Sequence, residues 1–347
     1  MPDRHLSWHH LNRALLTRQH LLTRTHHDLK TTVEDVGGLQ TQYSPSAYTG
    51  LWSRMSTFRK SGLTEALMSG EIIQSWVMRC TIHMVSAADH PRLTEAVREH
   101  RRQLWHRTTK IDVDMDAVAT TVREALQDGP RTQAELVKVI EGAGHPKEAF
   151  SGAQLWIDLV RVPPAGTWDR PRAHVYGLAT PPPAPVDREQ AEEHLARRYL
   201  GGFGPATPGD LARYAGWSIT FTRGVLARLA LRTFRDPDGA VLVDLPDAPL
   251  PDADVPAPVR FLGTWDAVLL LGHAVRAGLL PPEYRHHVFH TRKPQSAPTF
   301  LVDGRVAGTW RCAEDRIEVT PFEPLTTAVR EEVGAEAERL ATFHVDG

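Results

Sequence analysis

Two stretches of the sequence open in the same way, and this repetition restricts the possible folds more than any other feature. Both read Gly-Pro-x-Thr, with an acidic residue three positions after the threonine and a leucine next. A threonine and an acid at this spacing cap the first turn of a helix reciprocally. The pairs are Thr132 with Glu135, Thr207 with Asp210 and, in the looser copy "TTVEDVGG", Thr31 with Glu34. We therefore expect three helices that begin in a similar local setting.

The segments that follow these openings share an order as well. Each continues with a short helix, a break, a second helix and two runs of β-forming residues. Asp238-Gly239 is a hairpin turn signal between two such runs. Helix, turn, helix and β-hairpin is the winged-helix arrangement. Because it recurs at three places along the chain, the sequence predicts a tandem array of winged helices.

Proline-rich connectors divide the chain into four predicted units. "TPPPAPVD" (180–187) and "PDAPLPDADVPAPV" (246–259) are stiff spacers. Beyond the second spacer, β-forming runs alternate around Asp303-Gly304 and "CAEDR", and "TTAVREEVGAEAERLATF" reads as a closing helix. The predicted fold is α+β and helix-rich, with a C-terminal β-meander. The units are 1–110, 111–183 and 184–255 for the three winged helices and 256–347 for the C-terminal region.

Composition excludes several classes of protein. Apolar residues make up 41% and charged residues 24% of the 347 residues, which is ordinary globular composition. The chain has no run of about 18 uncharged apolar residues, so no membrane span is expected. The N-terminus also lacks an apolar signal core, and the distant Cys80 and Cys312 favour a reduced cytosolic protein. Isolated pairs such as His286 and His290 lack a third local ligand, so no metal site is predicted.

The net charge of −2 hides an uneven distribution. "REHRRQLWHRTTK" (98–110) and "RHHVFHTRK" (285–293) are basic, whereas the C-terminal helix is acidic. Arg98, Arg101 and Arg102 would lie near one face of a helix. Two interpretations stay open: a solvated charged face, which is the usual outcome, or a phosphate-binding surface. Tandem winged helices favour nucleic-acid binding, although the fold also mediates protein contacts.

Two glutamines follow the predicted helix stop Gly37-Gly38. In an extended chain the side chains of Gln40 and Gln42 project the same way, so both amides would point into one space. The competing interpretation is a polar surface loop. The sequence contains no G-x-S-x-G motif and no glycine-rich phosphate loop after a strand. A nucleophilic hydrolase of those kinds is therefore not predicted.

A second polar group belongs to the same predicted unit. In "RCTIHMV" (79–85), Arg79, Thr81 and His83 alternate with apolar residues and would share one face of a strand. Such a row is either an exposed sheet face or one wall of a cleft. Its closeness in the chain to the two glutamines favours the cleft wall.

These segments resemble a known family. "GGLQTQYSPSAYTGLWSRM" and "SWVMRCTIHMVSAADH", followed by "GPATPGDLARYAGWS", "FLGTWDAVLLLGH" and "FLVDGRVAGTWR", are similar in order and content to the AlkZ/YcaQ-like winged-helix DNA glycosylases. The resemblance covers nearly the whole chain. Gln40 and Gln42 fall on the two polar positions of the family's catalytic motif, as in its AlkZ branch. Thr41 departs from the motif, whose middle position is apolar.

The resemblance implies a monofunctional DNA glycosylase that hydrolyses the N-glycosidic bond of bulky N7-alkylated purines. It further implies interstrand crosslinks as substrates and self-resistance to a DNA-alkylating natural product. We expect Gln40 and Gln42 to be catalytic and no cofactor to be needed. The expected partner is double-stranded DNA carrying alkylated purines, bound by a cytoplasmic, nucleoid-associated monomer. Expected DNA contacts are Arg54, Arg79, Thr81, His83, Arg98, Arg101 and Arg102.

Two alternatives stay open at the sequence level. A non-enzymatic winged-helix regulator would bind a preferred duplex sequence and produce no abasic sites. None of the predicted recognition helices is rich in the Arg, Asn and Gln that read base edges, which argues against it. A resistance protein that sequesters the genotoxin would instead bind the free drug without DNA.

Overall fold

The structure is a computed structural model that describes residues 4–172, 174–179, 185–270, 273, 275, 277–289 and 295–346. It confirms the expected mixed α+β fold, with helices and mostly antiparallel sheets interleaved along the chain. One order of elements recurs in the fold. A helix, a strand, two helices and a β-hairpin follow each other in residues 29–86 and again in 115–177. A third segment, 188–244, repeats this order with a single bridging residue in place of the first strand.

The first of these segments is preceded by a short N-terminal strand and helix, β1 (Arg4–His5) and α1 (Trp8–Arg18). Its own strands form the end of a sheet in which β4 lies between β2 and β3. The elements are α2 (Leu29–Asp35), β2 (Leu39–Gln40), α3 (Pro45–Arg54), α4 (Lys60–Ser69), β3 (Ile72–Trp76) and β4 (Ile82–Ser86). The long helix α5 (His90–Thr109) follows and leads to the next segment.

The second segment continues the sheet of the first. Its strand β6 pairs antiparallel with β3, through Gln74 opposite Arg161 and Ser75 opposite Val160. The resulting sheet has six strands in the order β2-β4-β3-β6-β7-β5. The elements are α6 (Met115–Ala125), β5 (Arg131–Thr132), α7 (Gln133–Gly142), α8 (Ala149–Trp156), β6 (Val160–Arg161) and β7 (Val175–Gly177). The hairpin that ends each segment thus joins the two into one sheet.

The third segment has its own small sheet, in which β8 lies between β1 and β9. Ala206 bridges Val243 on the free side of β9, so it takes the place that β2 and β5 hold in the other segments. The elements are α9 (Arg188–Phe203), α10 (Pro208–Ala215), α11 (Ile219–Ala227), β8 (Arg232–Arg235) and β9 (Val241–Asp244). The spacer predicted before it, 180–187, lies largely outside the described residues, which resume at Pro185.

The C-terminal region is a four-stranded antiparallel meander covered by a long final helix, as the sequence predicts. Turns occur at Asp303-Gly304 and Glu314-Asp315, where the hairpin signals lie. The elements are β10 (Arg260–Leu262), the short helix Arg285–Val288, β11 (Thr299–Val302), β12 (Arg305–Ala313), β13 (Arg316–Pro321) and the helix Thr327–Asp346. Phe261, Phe300 and Trp310 of this sheet share a core with α3 and α4. None of the described helices is long and apolar enough to cross a bilayer.

The predicted helix caps are confirmed in two of three cases. Thr132 with Glu135 and Thr207 with Asp210 form complete capping boxes at the starts of α7 and α10. The third prediction is wrong, because Asp28 caps α2 by accepting a hydrogen bond from the Thr31 amide. Thr31 therefore lies inside the first turn. An aspartate that precedes the helix outcompetes a threonine already committed to helical backbone.

Candidate active site

The two glutamines lie at the edge strand β2, and a double glycine brings the chain there. Gly37 and Gly38 both have positive φ, 75° and 83°, which ends α2 and turns the chain toward the sheet. A side chain on Gly38 would start 3.0 Å from Val85 and 3.2 Å from the Met84 carbonyl oxygen. Glycine at this position therefore lets β2 approach β4 closely, and Gln40 pairs with His83 across the ladder.

The side chains of Gln40 and Gln42 meet, as an extended chain predicts. Gln40 Nε2 donates a hydrogen bond of 2.8 Å to Gln42 Oε1. Gln40 is only 7% exposed, whereas Gln42 is exposed to solvent. One amide is thus enclosed and the other is presented at the surface. Since an amide oxygen has two lone pairs, Gln42 Oε1 can accept a second hydrogen bond from outside.

Arg79 fixes the enclosed amide. Its Nη2 donates to Gln40 Oε1 at 2.8 Å, and its Nη1 donates to the Tyr214 carbonyl oxygen at 3.1 Å. The guanidinium also lies 5.5 Å from the centre of the Tyr214 ring, within cation–π range. Burial lowers the pKa of Arg79 below its usual value. In the described part of the chain no carboxylate is ion-paired with it, so the positive charge is balanced by dipoles and π-electrons alone.

The prediction that Arg79 lies on a strand is wrong. The strand β4 begins at Ile82, and Arg79 sits in the tight turn Met78–Cys80 with φ of 53°. Cys80 is left-handed too, with φ of 55°. Two successive non-glycine residues in this region cost strain, which the surrounding contacts must offset. The turn aims the guanidinium back across the sheet at Gln40, which an extended strand would not do.

The remaining residues of the predicted polar row hydrogen-bond to nearby backbone. His83 is buried, its Nδ1 hydrogen-bonds the Thr81 carbonyl oxygen at 2.9 Å, and burial lowers its pKa to about 3. His83 is therefore neutral at physiological pH. Thr81 uses its hydroxyl to donate to the Met78 carbonyl oxygen inside the turn. Both residues shape the backbone beside Gln40.

Thr41 behaves as an apolar residue in this setting. It is fully buried, and its amide donates to the Ile82 carbonyl oxygen at 2.8 Å, which extends the β2–β4 pairing. Its hydroxyl has no hydrogen-bond partner among the described residues. The departure from an apolar middle residue therefore leaves the packing intact and adds one unsatisfied buried hydroxyl.

The other residues expected to contact DNA also have partners within the chain. Arg54 is 1% exposed and binds both oxygens of Asp266, at 2.9 and 2.8 Å. Of the α5 arginines, Arg101 pairs with Asp158 and the Trp76 carbonyl oxygen, and Arg98 pairs with Glu95 and Asp158. Arg102 stacks on Trp156, 4.7 Å from the ring centre. Arg54 and Arg101 are buried, whereas Arg98 and Arg102 are half-buried.

The sequence reasoning missed Tyr214. This residue ends the α10 helix of the third segment, and its hydroxyl donates to the Gly37 carbonyl oxygen at 2.5 Å. Burial raises the pKa of Tyr214. The side chain thus holds the glycine turn before β2 while its carbonyl holds Arg79. No local signal marks it, because its partners are more than a hundred residues away in sequence.

Comparison with known proteins shows that the chain is an enzyme of DNA repair. The family model "DNA glycosylase AlkZ-like" matches residues 33–343, so it includes both glutamines, Arg79 and Tyr214. The chain is a DNA glycosylase, and DNA is its substrate. More particularly, it belongs to the AlkZ-like family of DNA glycosylases.

A solved structure agrees with this assignment. The DNA glycosylase AlkZ from Streptomyces sahachiroi superposes with a TM-score of 0.79 at 19% sequence identity, covering 97% of each chain. At this identity the likeness concerns the fold. No curated protein matches the chain in sequence.

Proposed function

We propose that this glycosylase is monofunctional, needs no cofactor and acts on bulky N7-alkylated purines in double-stranded DNA. The observation that supports it is the hydrogen-bonded pair of amides at β2, one enclosed and one exposed, with no titrating group in either. The proposal includes interstrand crosslinks as substrates and self-resistance to a DNA-alkylating natural product. It describes a monomer that works on DNA in the bacterial cytoplasm.

Amides suffice for a substrate that is already activated. Alkylation at N7 of guanine places a positive charge on the base, so the base leaves without being protonated. What remains is to stabilise a developing oxocarbenium ion and to position a water molecule, and both are electrostatic tasks. A lyase would need an amine nucleophile, and the enclosed partner of these amides is an arginine.

The geometry suggests a division of roles between the glutamines. Gln42 is exposed and keeps one lone pair free on Oε1, so we assign it to the attacking water. Gln40 has both ends of its amide occupied, by Gln42 and Arg79, and we assign it to holding Gln42 in place. Arg79 is then a positioning residue whose charge also raises the local potential toward phosphate.

The three recurring segments are proposed to be winged helices that together form the DNA cleft. Their shared order of helix, strand, helix, helix and hairpin supports this, as does the repeated central position of the last strand. The proposed winged-helix units are 1–110, 111–183 and 184–255, and each contains one of these segments. An open cleft between such units suits adducts too large for a snug base-flipping pocket.

Single-turnover base release from duplex DNA with one N7-alkylguanine tests the proposal. Gln42→Ala and Gln40→Ala should each lower the rate about a hundredfold, comparable to loss of one preorganised polar group. Gln127→Ala removes an exposed glutamine remote from β2 and serves as the control, with an unchanged rate. Borohydride should trap no covalent enzyme–DNA adduct. If both variants release base as fast as the wild type, the glutamines are not catalytic.

A further inference from the structure

Three metal-ligand side chains converge next to the candidate active site without any role in it. His20 Nε2 and His27 Nδ1 each lie 3.0 Å from Oδ2 of Asp35. The three ligand atoms all lie within 4.8 Å of one another. Two ligands on one tetrahedral zinc ion are about 3.3 Å apart, given zinc bonds of about 2.05 Å. Small side-chain movements would therefore bring the three atoms onto a common ion.

His20 has a left-handed backbone conformation. His20 follows the end of α1 with φ of 53°, a position that helices usually give to glycine or asparagine. Its amide donates to the Thr17 carbonyl oxygen, and the next amide reaches Leu16, so the turn is a regular helix termination. Histidine is among the non-glycine residues that adopt this region most often, and here its imidazole lies beside Asp35.

We propose that His20, His27 and Asp35 form a binding site for a divalent transition-metal ion, with Zn²⁺ as the expected occupant. Two imidazoles and one carboxylate are a donor set that Zn²⁺ prefers, whereas Mg²⁺ and Ca²⁺ prefer oxygen ligands alone. The side chains are partly exposed and line a cavity of about 960 Å³, so a fourth, water ligand has access.

The charge of the site suits a cation. Asp35 is the acidic ligand of the set, and its Oδ2 is hydrogen-bonded to both imidazoles. Neighbouring basic groups are neutralised by other partners, since Arg198 pairs with Glu34 and Arg24 with Glu336. Asp35 also ends α2, where the helix dipole favours positive charge.

The expected effect is structural and reaches toward the glutamines. His20 lies just after the end of α1, His27 lies in the following loop, and Asp35 ends α2 just before the Gly37-Gly38 turn. A bound ion would tie these three pieces together and fix the turn that delivers Gln40 to β4. No metal motif marks this site in the sequence, because the ligands are seven and eight positions apart in a loop and a helix.

Isothermal titration of the untagged full-length protein with ZnCl₂, after treatment with a chelator, tests the site. We expect one ion to bind and the midpoint of thermal unfolding to rise with free zinc, as linkage requires. Titration with Co²⁺ should give visible absorption bands typical of a tetrahedral nitrogen and oxygen site.

The variants separate this site from the other histidines. His20→Gly keeps the left-handed turn while removing a ligand, and His27→Ala removes an exposed one, so both should fold. Each should weaken zinc binding at least about tenfold. His26→Ala is the matched control. The His26 imidazole is hydrogen-bonded to Ser56 instead, so its removal should leave the affinity for zinc unchanged. Absence of zinc binding by the wild type, or equal binding by all variants, would overturn the proposal.

Discussion

The turn at Arg79 and the basic face of α5 both carry arginines that were expected to contact DNA, and these arginines differ in their partners in the folded chain. On α5, Arg98 and Arg101 converge on the carboxylate of Asp158, and Arg101 is buried. At the turn, Arg79 meets an amide, a carbonyl and a ring, with no paired carboxylate among the described residues.

The difference teaches that the partner, more than the charge, decides what an arginine does. A buried guanidinium paired with a carboxylate is locked, because separating the pair would leave its charge unpaired in the interior. A guanidinium held by neutral groups keeps its net charge, and so its field extends to ligands. The α5 arginines therefore join two segments of the fold, whereas Arg79 serves the candidate site.

The largest expected effect tests whether the α5 arginines stabilise the fold. Arg101→Leu leaves Asp158 with a weakened set of partners and breaks the bond to the Trp76 carbonyl oxygen. We expect the free energy of unfolding to fall by about 3 kcal/mol, measured by urea denaturation. Arg107→Leu, an exposed position on the same helix, should change stability by less than about 0.5 kcal/mol. Equal stability of the two variants would show that the ion pair between Arg101 and Asp158 does not stabilise the fold.

The outcome for α5 shows where prediction from sequence stops. Helical spacing correctly placed Arg98, Arg101 and Arg102 near each other, since this follows from local geometry. It could not tell that Asp158, beyond α8, would approach that face. Capping boxes, turn signals and the β-meander were predictable because they depend on residues close together in sequence. Ion pairs were not predictable because they depend on packing between distant segments.

The second prediction tests whether Arg79 serves the candidate active site. Arg79→Ala frees the amide of Gln40, so the rate of base release should fall about a hundredfold, or about 2.7 kcal/mol in activation free energy. Arg79→Lys should rescue little, because an ammonium cannot span Gln40 and the Tyr214 carbonyl oxygen with the planar fork that Arg79 uses.

Binding and stability separate positioning from a purely structural role. Affinity for undamaged duplex should fall modestly, with a salt slope reduced by at most about 1. If Arg79→Ala unfolds more easily by several kcal/mol while its rate per folded molecule is unchanged, Arg79 resembles the α5 arginines and the contrast fails.

The candidate site was predictable in part. The shared direction of Gln40 and Gln42 followed from extended backbone and is what the structure has. The left-handed turn at Arg79 was not predictable, because arginine and cysteine carry no preference for positive φ. Tyr214 was also out of reach, since its hydrogen bonds to the turn join the first and third segments.

The smallest expected effect compares two buried histidines, one from each region. Burial lowers the pKa of His83, beside Gln40, to about 3 and that of His90, at the start of α5, to about 4. Below about pH 6.5 the unfolded chain binds a proton at each histidine that the folded chain excludes. The free energy of unfolding should therefore decrease as pH falls, by about 1 kcal/mol per histidine at pH 5.5 relative to pH 7.5.

Urea denaturation at these two pH values isolates each contribution. His83→Asn and His90→Leu should each reduce the loss of stability on acidification by about 1 kcal/mol. His9→Asn, at an exposed position, is the control and should follow the wild type. The rate of base release per folded molecule distinguishes the two regions. This rate should change in His83→Asn, because His83 pairs with Gln40 across the ladder, and should stay the same in His90→Leu. Equal rates for both variants would mean that the backbone beside Gln40 tolerates change as readily as α5 does.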